Sequence, residues 1–260
     1  MARTRAPNGQ RVSGARLPGD ERHQWPVKEL HNIDFVGCDL AGSRINGGFL
    51  SRVTITECTL DHVVLGPFEA NKVTIRDCQF DHVTFSGPSY SSFRKTEIVG
   101  SSFKACDLRE VSFRDSDLRD VIFDKPRTAR TSFRSTRLDG VTFIGCMRPL
   151  FFIDSALSNV DFTDTRPDDL IFTGSDLRDV RFPMHEDCFA VLRPTMYRVV
   201  REIVDRLSSS GRKELAMIAG AVDEPPPGPV IIGKDFLGDL DGEDRKRVLD
   251  ALRPHAIATL

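Results

Sequence analysis

No apolar run in the 260-residue chain approaches the ~18 residues that a membrane-spanning helix needs. Charge of one sign is missing too: 36 Lys+Arg face 38 Asp+Glu, a formal net charge of −2. That balance excludes a strongly basic nucleic-acid binder and a uniformly acidic imitation of DNA. The first residues, Met-Ala-Arg-Thr-Arg-Ala-Pro, carry charge without a following apolar segment, which is not the pattern of a secretory signal. A reducing, cytoplasmic setting is therefore expected, with the six Cys as free thiols. No GxSxG, HExxH, CxxC or glycine-rich phosphate loop occurs, and His23, His31, His185 and His255 lie scattered near the two ends. The expectation is a non-enzymatic protein with no cofactor and no metal.

What is present is a period of five. Large apolar residues stand at Phe35, Leu40, Ile45, Leu50, Ile55, Leu60, Leu65, Ile75, Phe80 and Phe85. They resume in a shifted register at Phe93, Ile98, Phe103, Leu108, Phe113, Leu118, Phe123, Phe133, Leu138 and Phe143, then at Phe152, Leu157, Phe162, Phe172, Leu177 and Phe182. Of 29 such slots only Ala70, Thr128 and Pro167 depart from Phe, Leu or Ile. Five residues of α-helix turn about 500°, so the series would scatter around the axis. On a strand five is odd, so it would alternate between faces. A chain that turns a corner after each apolar residue keeps all of them inward.

The number of corners follows from a longer repeat. Residues 52–63, RVTITECTLDHV, and 72–83, KVTIRDCQFDHV, share seven of twelve positions. Cys38, Cys58 and Cys78 keep the same 20-residue spacing, as do Arg94, Arg114 and Arg134. Twenty residues are four pentapeptides, so each coil has four sides. The position two before each centre is small or β-branched (Cys38, Val63, Cys106, Val111, Ser116, Val121, Thr136, Ser155, Val160, Ser175), as a site beside a narrow axis requires.

Stretches such as CDLREVSFRDSDLRDVIF resemble the pentapeptide-repeat protein family over residues 33–182. The resemblance implies an all-β solenoid, a right-handed quadrilateral β-helix of about seven coils. At ~4.8 Å per coil it would be roughly 34 Å long. The expected division is a flexible basic tail over 1–30, the repeat β-helix over 31–183, and an α-helical region over 184–260 with a Pro-rich linker at 225–229. The tail carries six Lys or Arg against three Asp or Glu. Three extra residues are expected in SGPSYSS after Phe85, and a similar loop in IGCMRPLF. Counting the first break as one side moves the Cys/Ser columns onto sides that held Val before it, and the pattern alone leaves that open. Pro126 points inward and should make its side irregular.

Beyond Pro183, Met196, Val199, Val200, Ile203, Val204 and Leu207 have helical spacing, with Thr195 as the expected N-cap. A second helix is expected around Leu215 and Ile218. A third follows Asp241. The stripe Met196, Val200, Ile203, Leu207 is a candidate for capping the last coil, pairing two chains in a homodimer, or holding a partner.

Cys58/His62 and Cys78/His82 have the look of a metal set, but Cys should point inward and His outward, so these four cannot meet on one ion. Surface charge is more informative. Lys104, Arg109, Arg114 and Arg119 take four successive outward positions, one per side. Residues 94–137 carry 11 basic and 7 acidic residues, whereas 138–187 carry 4 and 10. Arg94, Lys104, Arg109, Arg114, Arg119 and Arg134, with Asp161, Asp164 and Asp179, are the candidate binding surface. The expected function is a protein-interaction module that presents a rigid charged rod to a protein partner. The alternative comes from the quinolone-resistance pentapeptide proteins, which the chain resembles in architecture: a DNA-mimicking, gyrase-binding protein that gives drug or toxin resistance. Direct nucleic-acid binding is expected nowhere except through the basic tail, and no membrane partner is expected.

Overall fold

The computed structural model describes residues 11–13, 24–25, 29–45, 48–85, 91–167, 170–186, 188–220, 228–233, 237–238 and 240–260. Each pentapeptide makes a short strand around its apolar centre and then a corner. Among the described residues, all non-glycine residues with positive φ, from Asn32 to Asp179, stand two places after a centre, at φ between 50° and 62°. A left-handed conformation costs a non-glycine residue roughly 1–2 kcal/mol, and here it turns the backbone N–H toward the next coil. The Asp115 amide donates to the Arg134 carbonyl at 3.0 Å, and the His62 amide to the Asp81 carbonyl at 2.9 Å. The period of five is therefore a strand plus one left-handed corner, repeated.

Equivalent sides stack as parallel ladders, giving a four-sided parallel β-solenoid of about seven coils. Face one holds eight strands, with centres Leu30, Leu50, Ala70, Phe93, Phe113, Phe133, Phe152 and Phe172. Face two holds nine strands and runs through Phe35, Ile55, Ile75, Ile98, Leu118, Leu138, Leu157 and Leu177. Face three carries Leu60, Phe80, Phe103, Phe123 and Phe143. Face four starts with Ile45 and Leu65 and continues as single bridges through Thr84, Asp107 and Arg127. At Pro126 and Thr128, both buried, the side is such a bridge and not a strand.

The core is two columns of phenylalanine rings. On face one Phe93, Phe113, Phe133, Phe152 and Phe172 stack at 4.9–5.2 Å. On face three Phe80, Phe103, Phe123, Phe143 and Phe162 stack at 4.5–5.1 Å. The columns meet edge to face, as Phe133 and Phe143 do at 6.1 Å and 83°, a favoured aromatic geometry. Face one has no ring in its first three slots. Ala70 is compensated by Phe68, two places earlier, whose ring stands edge-on to Phe93 at 5.0 Å. An apolar cavity of about 50 Å³ remains there, bordered by Leu30, Leu50, Leu60 and Phe68.

The first break is one side lengthened by three residues: Ala70 pairs with Phe93, and Cys78 lies one coil from Ser101. The inward columns do exchange there. On face three Cys38, Cys58 and Cys78 give way to Ser101, Val121 and Val141, while on face two Val53 and Val73 give way to Thr96, Ser116, Thr136 and Ser155. The two chemistries are interchangeable because each polar group does the same work. Ser116 Oγ donates to the Arg114 and Phe93 carbonyls and accepts from the Thr96 amide. Cys58 Sγ likewise donates to the Thr56 carbonyl at 3.2 Å and accepts from the Cys38 amide. Backbone groups at the corners are thereby satisfied inside the core.

Two expectations are corrected. The second break is one residue short, not lengthened: Phe133 pairs with Phe152. The strand Thr142–Met147 runs through the corner, pairs on two sides, and turns Met147 into the core at 1% exposure. The segment 1–30 is also more than a tail. Strands Arg11–Ser13, Gln24–Trp25 and Glu29–His31 continue the ladders of faces two, four and one, pairing with residues 34–36, 44–45 and 49–51.

After Pro183 the chain forms a small antiparallel sheet, Phe189–Leu192 between Pro229–Ile232 and Ala256–Ile257. One side of it, Cys188, Ala190 and Ile231, joins the solenoid core. The other, Phe189, Val191 and Ile232, packs under helices α1 (Arg193–Ile203), α2 (Ser209–Gly220) and α3 (Gly242–Leu252). The α1 N-cap is Leu192, not Thr195, because Pro194 fits the first turn, where no N–H is needed. Asp241 caps α3 as expected, accepting from the Glu243 and Asp244 amides. Pro229 lies in a strand; residues 225–227 of the expected linker fall outside the described residues.

Candidate binding surface

The solenoid places each outward residue in a column with its counterparts one coil away. Arg94, Arg114 and Arg134 pair in register on face one, beside a column of Ser92, Ser112 and Ser132. Ser132 Oγ donates to Ser112 Oγ at 3.2 Å. The basic column is little neutralised: Asp115 lies 3.6 Å from Arg94 and 3.9 Å from Arg114, and all three groups are exposed. Over the next two coils the same face presents Phe151, Ile153 and Ile171, half-buried and pointing outward. Sequence reading missed this apolar continuation because these residues stand one place to either side of their centres and so resemble core.

The other basic candidates point elsewhere. Lys104, on face three, is 3.7 Å from Asp81. Arg109, on face four, grips Asp107 at 2.6 Å. Burial raises the Asp107 carboxyl, but its bonds to Arg109 and the nearby Arg127 outweigh that and leave it below the usual carboxylate range. Arg119, on face two, reaches Asp117 and Glu97 at 3.0 and 3.1 Å. One coil's charges thus face four ways, and only face one gathers them into a column.

The acidic candidates are dispersed as well. Asp161 is half-buried, pairs with Arg181 at 3.1 Å and accepts from the Thr163 amide and hydroxyl. Asp164 and Asp179 are exposed but sit after the centres of faces three and two. Met196, Val200 and Leu207 of the candidate helical stripe are buried within the helical cluster, and Ile203 is half-buried against it. They meet their own sheet and α3, while the coil end is covered by the sheet's other side.

Cys58 and Cys78 point inward and His62 and His82 outward, so the CxxxH pairs do not converge. The two histidines do converge on each other, however, with Asp61 beside them. None of the six cysteines is joined in a disulfide, and only Cys146 is exposed. Burial pushes the Cys106 thiol up to about 12, and the Cys78 thiol rises through its hydrogen bond to Cys58 and through burial. Native protein should therefore yield one fast equivalent with a disulfide thiol reagent, from Cys146, and six after unfolding. Two or more fast equivalents, or fewer than six in denaturant, would contradict the buried thiol column.

Residues 73–147 match the family model described as a pentapeptide repeat region. Among solved structures, the solenoid is similar to full-length QnrB1, described as a plasmid-mediated fluoroquinolone resistance protein. The identity is 16% and the TM-score 0.53, over 69% of this chain and 88% of that one. A trypsin-treated variant of QnrB1 gives the same values. HetL, a pentapeptide repeat protein involved in heterocyst differentiation regulation from the cyanobacterium Nostoc, shows 13% identity and a TM-score of 0.32 over 66% of this chain and 85% of that one. No curated protein matches the chain significantly. The fold is a parallel β-solenoid with helices at its C-terminal end. Within that fold, residues 73–147 are a pentapeptide repeat region. Among the described residues no helix is long and apolar enough to cross a membrane.

Proposed function

We propose that the chain is a non-enzymatic interaction module that binds a protein partner through face one of the solenoid. The observation that carries this is the in-register column Arg94, Arg114, Arg134, running beside a serine column into Phe151, Ile153 and Ile171. A basic stripe that continues into an apolar patch on one rigid face suits a partner with acidic and apolar groups in the same order. Charge there steers encounter, and apolar burial supplies affinity.

A second reading, gyrase binding by DNA mimicry, draws on the likeness in fold to a fluoroquinolone resistance protein. The charge geometry weighs against it. Duplex phosphates form a dense, regular series, whereas Asp161, Asp164 and Asp179 lie on different corners and Asp161 is already paired.

The test is affinity capture followed by binding measurements on two triple variants. Arg94→Glu/Arg114→Glu/Arg134→Glu should lose the captured partner. Asp161→Lys/Asp164→Lys/Asp179→Lys should retain it. Wild-type binding should weaken with salt, since the Debye length falls from ~10 Å at 0.1 M to ~3 Å at 1 M. Equal binding by the arginine variant at every salt concentration would move the interaction off face one. Inhibition of gyrase supercoiling by wild type but not by the aspartate variant would establish the second reading instead.

A further inference from the structure

The 20-residue repeat copies the dipeptide Asp-His into two successive coils, Asp61-His62 and Asp81-His82, at the corner after face three. Both histidines occupy left-handed corner positions, at φ 54° and 53°, so both rings leave the solenoid in the same direction. They stack with centroids 4.9 Å apart and planes 10° from parallel. Each stands beside the aspartate before it: His62 Nδ1 lies 2.5 Å from Asp61 Oδ1, and His82 Nδ1 2.7 Å from Asp81 Oδ1, an oxygen that has no hydrogen-bond partner. A carboxylate on one ring nitrogen fixes tautomer and orientation and leaves the other nitrogen basic, which is how carboxylates support histidine ligands at metal centres.

The two aspartates are not equivalent. Lys104, in the next coil, stands 3.7 Å from Asp81 Oδ2, so Asp81 has the His82 ring beside one oxygen and an ammonium near the other. Asp61 has no such cation at its counterpart positions, which are Asp81 in the next coil and Ala41 in the preceding one. One ligand atom from each of Asp61, His62 and His82 lies within 4.8 Å of the other two. Zinc–nitrogen bonds of about 2.0–2.1 Å set tetrahedral ligand edges at about 3.3 Å. Imidazole lone pairs lie in the ring planes, so the two rings must turn out of their parallel stack to share one ion, a movement that their exposure permits.

We propose that Asp61, His62 and His82 bind one divalent transition-metal ion of the imidazole-preferring class, with the Asp61 carboxylate leaving His62 Nδ1 to become a ligand, water completing the coordination, and Asp81, beside His82 Nδ1, acting as a positioning residue. Two imidazoles and a carboxylate select zinc, nickel or copper(II) over magnesium or calcium. The site is distinct from the thiol column, whose sulfurs point into the core, and from face one. It gives the solenoid a metal-dependent corner where a partner can supply the remaining ligand.

The experiment titrates Zn²⁺ alone into the chelator-treated full chain, by calorimetry, on a Cys146→Ser background that removes the exposed thiol. One ion per chain is expected. His62→Gln and His82→Gln should each weaken binding at least tenfold, and Asp81→Asn by about 10-fold or more, the usual cost of losing a partner that orients a histidine ligand. Magnesium should not compete. The histidine side chains are 67% and 52% exposed, so the variants should melt like the parent, which separates loss of a ligand from loss of fold. As an independent readout, the Co²⁺-loaded protein should show ligand-field bands without sulfur-to-metal charge transfer. Failure of the parent to bind zinc, or binding unchanged in both histidine variants, would overturn the assignment.

Discussion

Phe113→Ala is expected to destabilise the protein by about 3–5 kcal/mol, the usual range for truncating a fully buried aromatic residue. Phe113 is 0% exposed. Its ring stacks on Phe93 at 5.0 Å and on Phe133 at 4.9 Å, and stands edge-on to Phe123 at 6.3 Å. Neighbouring rings belong to different coils and are held by their own ladders, so they cannot collapse into the void. Phe113→Asp should be worse, because the carboxylate would be buried among rings with no cation within the core. In a solenoid each coil is stabilised chiefly by its neighbours, so damage at the centre uncouples both halves. The contrast is Ile122→Ala on the same solenoid. Ile122 is one place before a centre and 44% exposed, and its loss should stay within about 0.5 kcal/mol. Chemical denaturation of the three variants checks this. A Phe113→Ala protein as stable as wild type would refute the stacked-column core.

The inward set was legible because one physical requirement, a large apolar group on each side of a narrow coil, repeats with little interruption from Phe35 to Phe182. Departures from it were legible only where a single residue explains them. Pro126 was visible as an exception, although the neighbouring sides of face four at Thr84 and Asp107 are single bridges too. Ala70 was visible as an exception, but its compensation by Phe68 was not, because Phe68 occupies a slot that mostly holds small or β-branched residues. The exchange of the cysteine column for serine and valine needed the pairing of Ala70 with Phe93 to be understood. Once it is known that thiol and hydroxyl serve the same carbonyls, the exchange has a reason. Strands such as Arg11–Ser13 carry too few apolar residues to declare themselves, and they pair only because a completed coil offers them an edge. The strand Ala256–Ile257, too, depends on partners from a distant segment. At the candidate surface, the arginine column could be read from its 20-residue spacing. That Lys104, Arg109 and Arg119 would be taken up by Asp81, Asp107 and Asp117 depends on side-chain reach, which spacing does not encode. The stacking of His62 on His82 was not legible for a related reason: the repeat places the two Asp-His pairs one coil apart as an outward ladder, but how two exposed rings turn toward each other depends on their rotamers.

Truncation after Pro183 is expected to convert a well-behaved protein into one that aggregates or changes its oligomeric state. The final coil is the one place where the ladder's hydrogen-bonding groups and the ring column would both meet solvent, and an open edge of this kind templates association with another chain. The C-terminal residues cover it in two ways. The Val180 and Phe182 amides donate to the Leu260 and Ala258 carbonyls at 2.8 Å, and the Leu260 amide donates back to Val180 at 2.9 Å. Cys188, Ala190 and Ile231 close over the end of the core. The helices α1, α2 and α3 hold that sheet from behind through Met196, Val200, Leu207 and Val248. The capping role therefore belongs to the sheet and the last three residues, with the helical stripe as its support. Removing only residues 258–260 separates the two contributions. It strips the backbone pairing but leaves the sheet, so the melting temperature should fall while the protein stays in its original oligomeric state. Full removal of 184–260 should change the mass measured by light scattering. If the long truncation keeps both its mass in solution and its melting temperature, the solenoid ends at Pro183 without need of a cap, and the helical region must serve some other role.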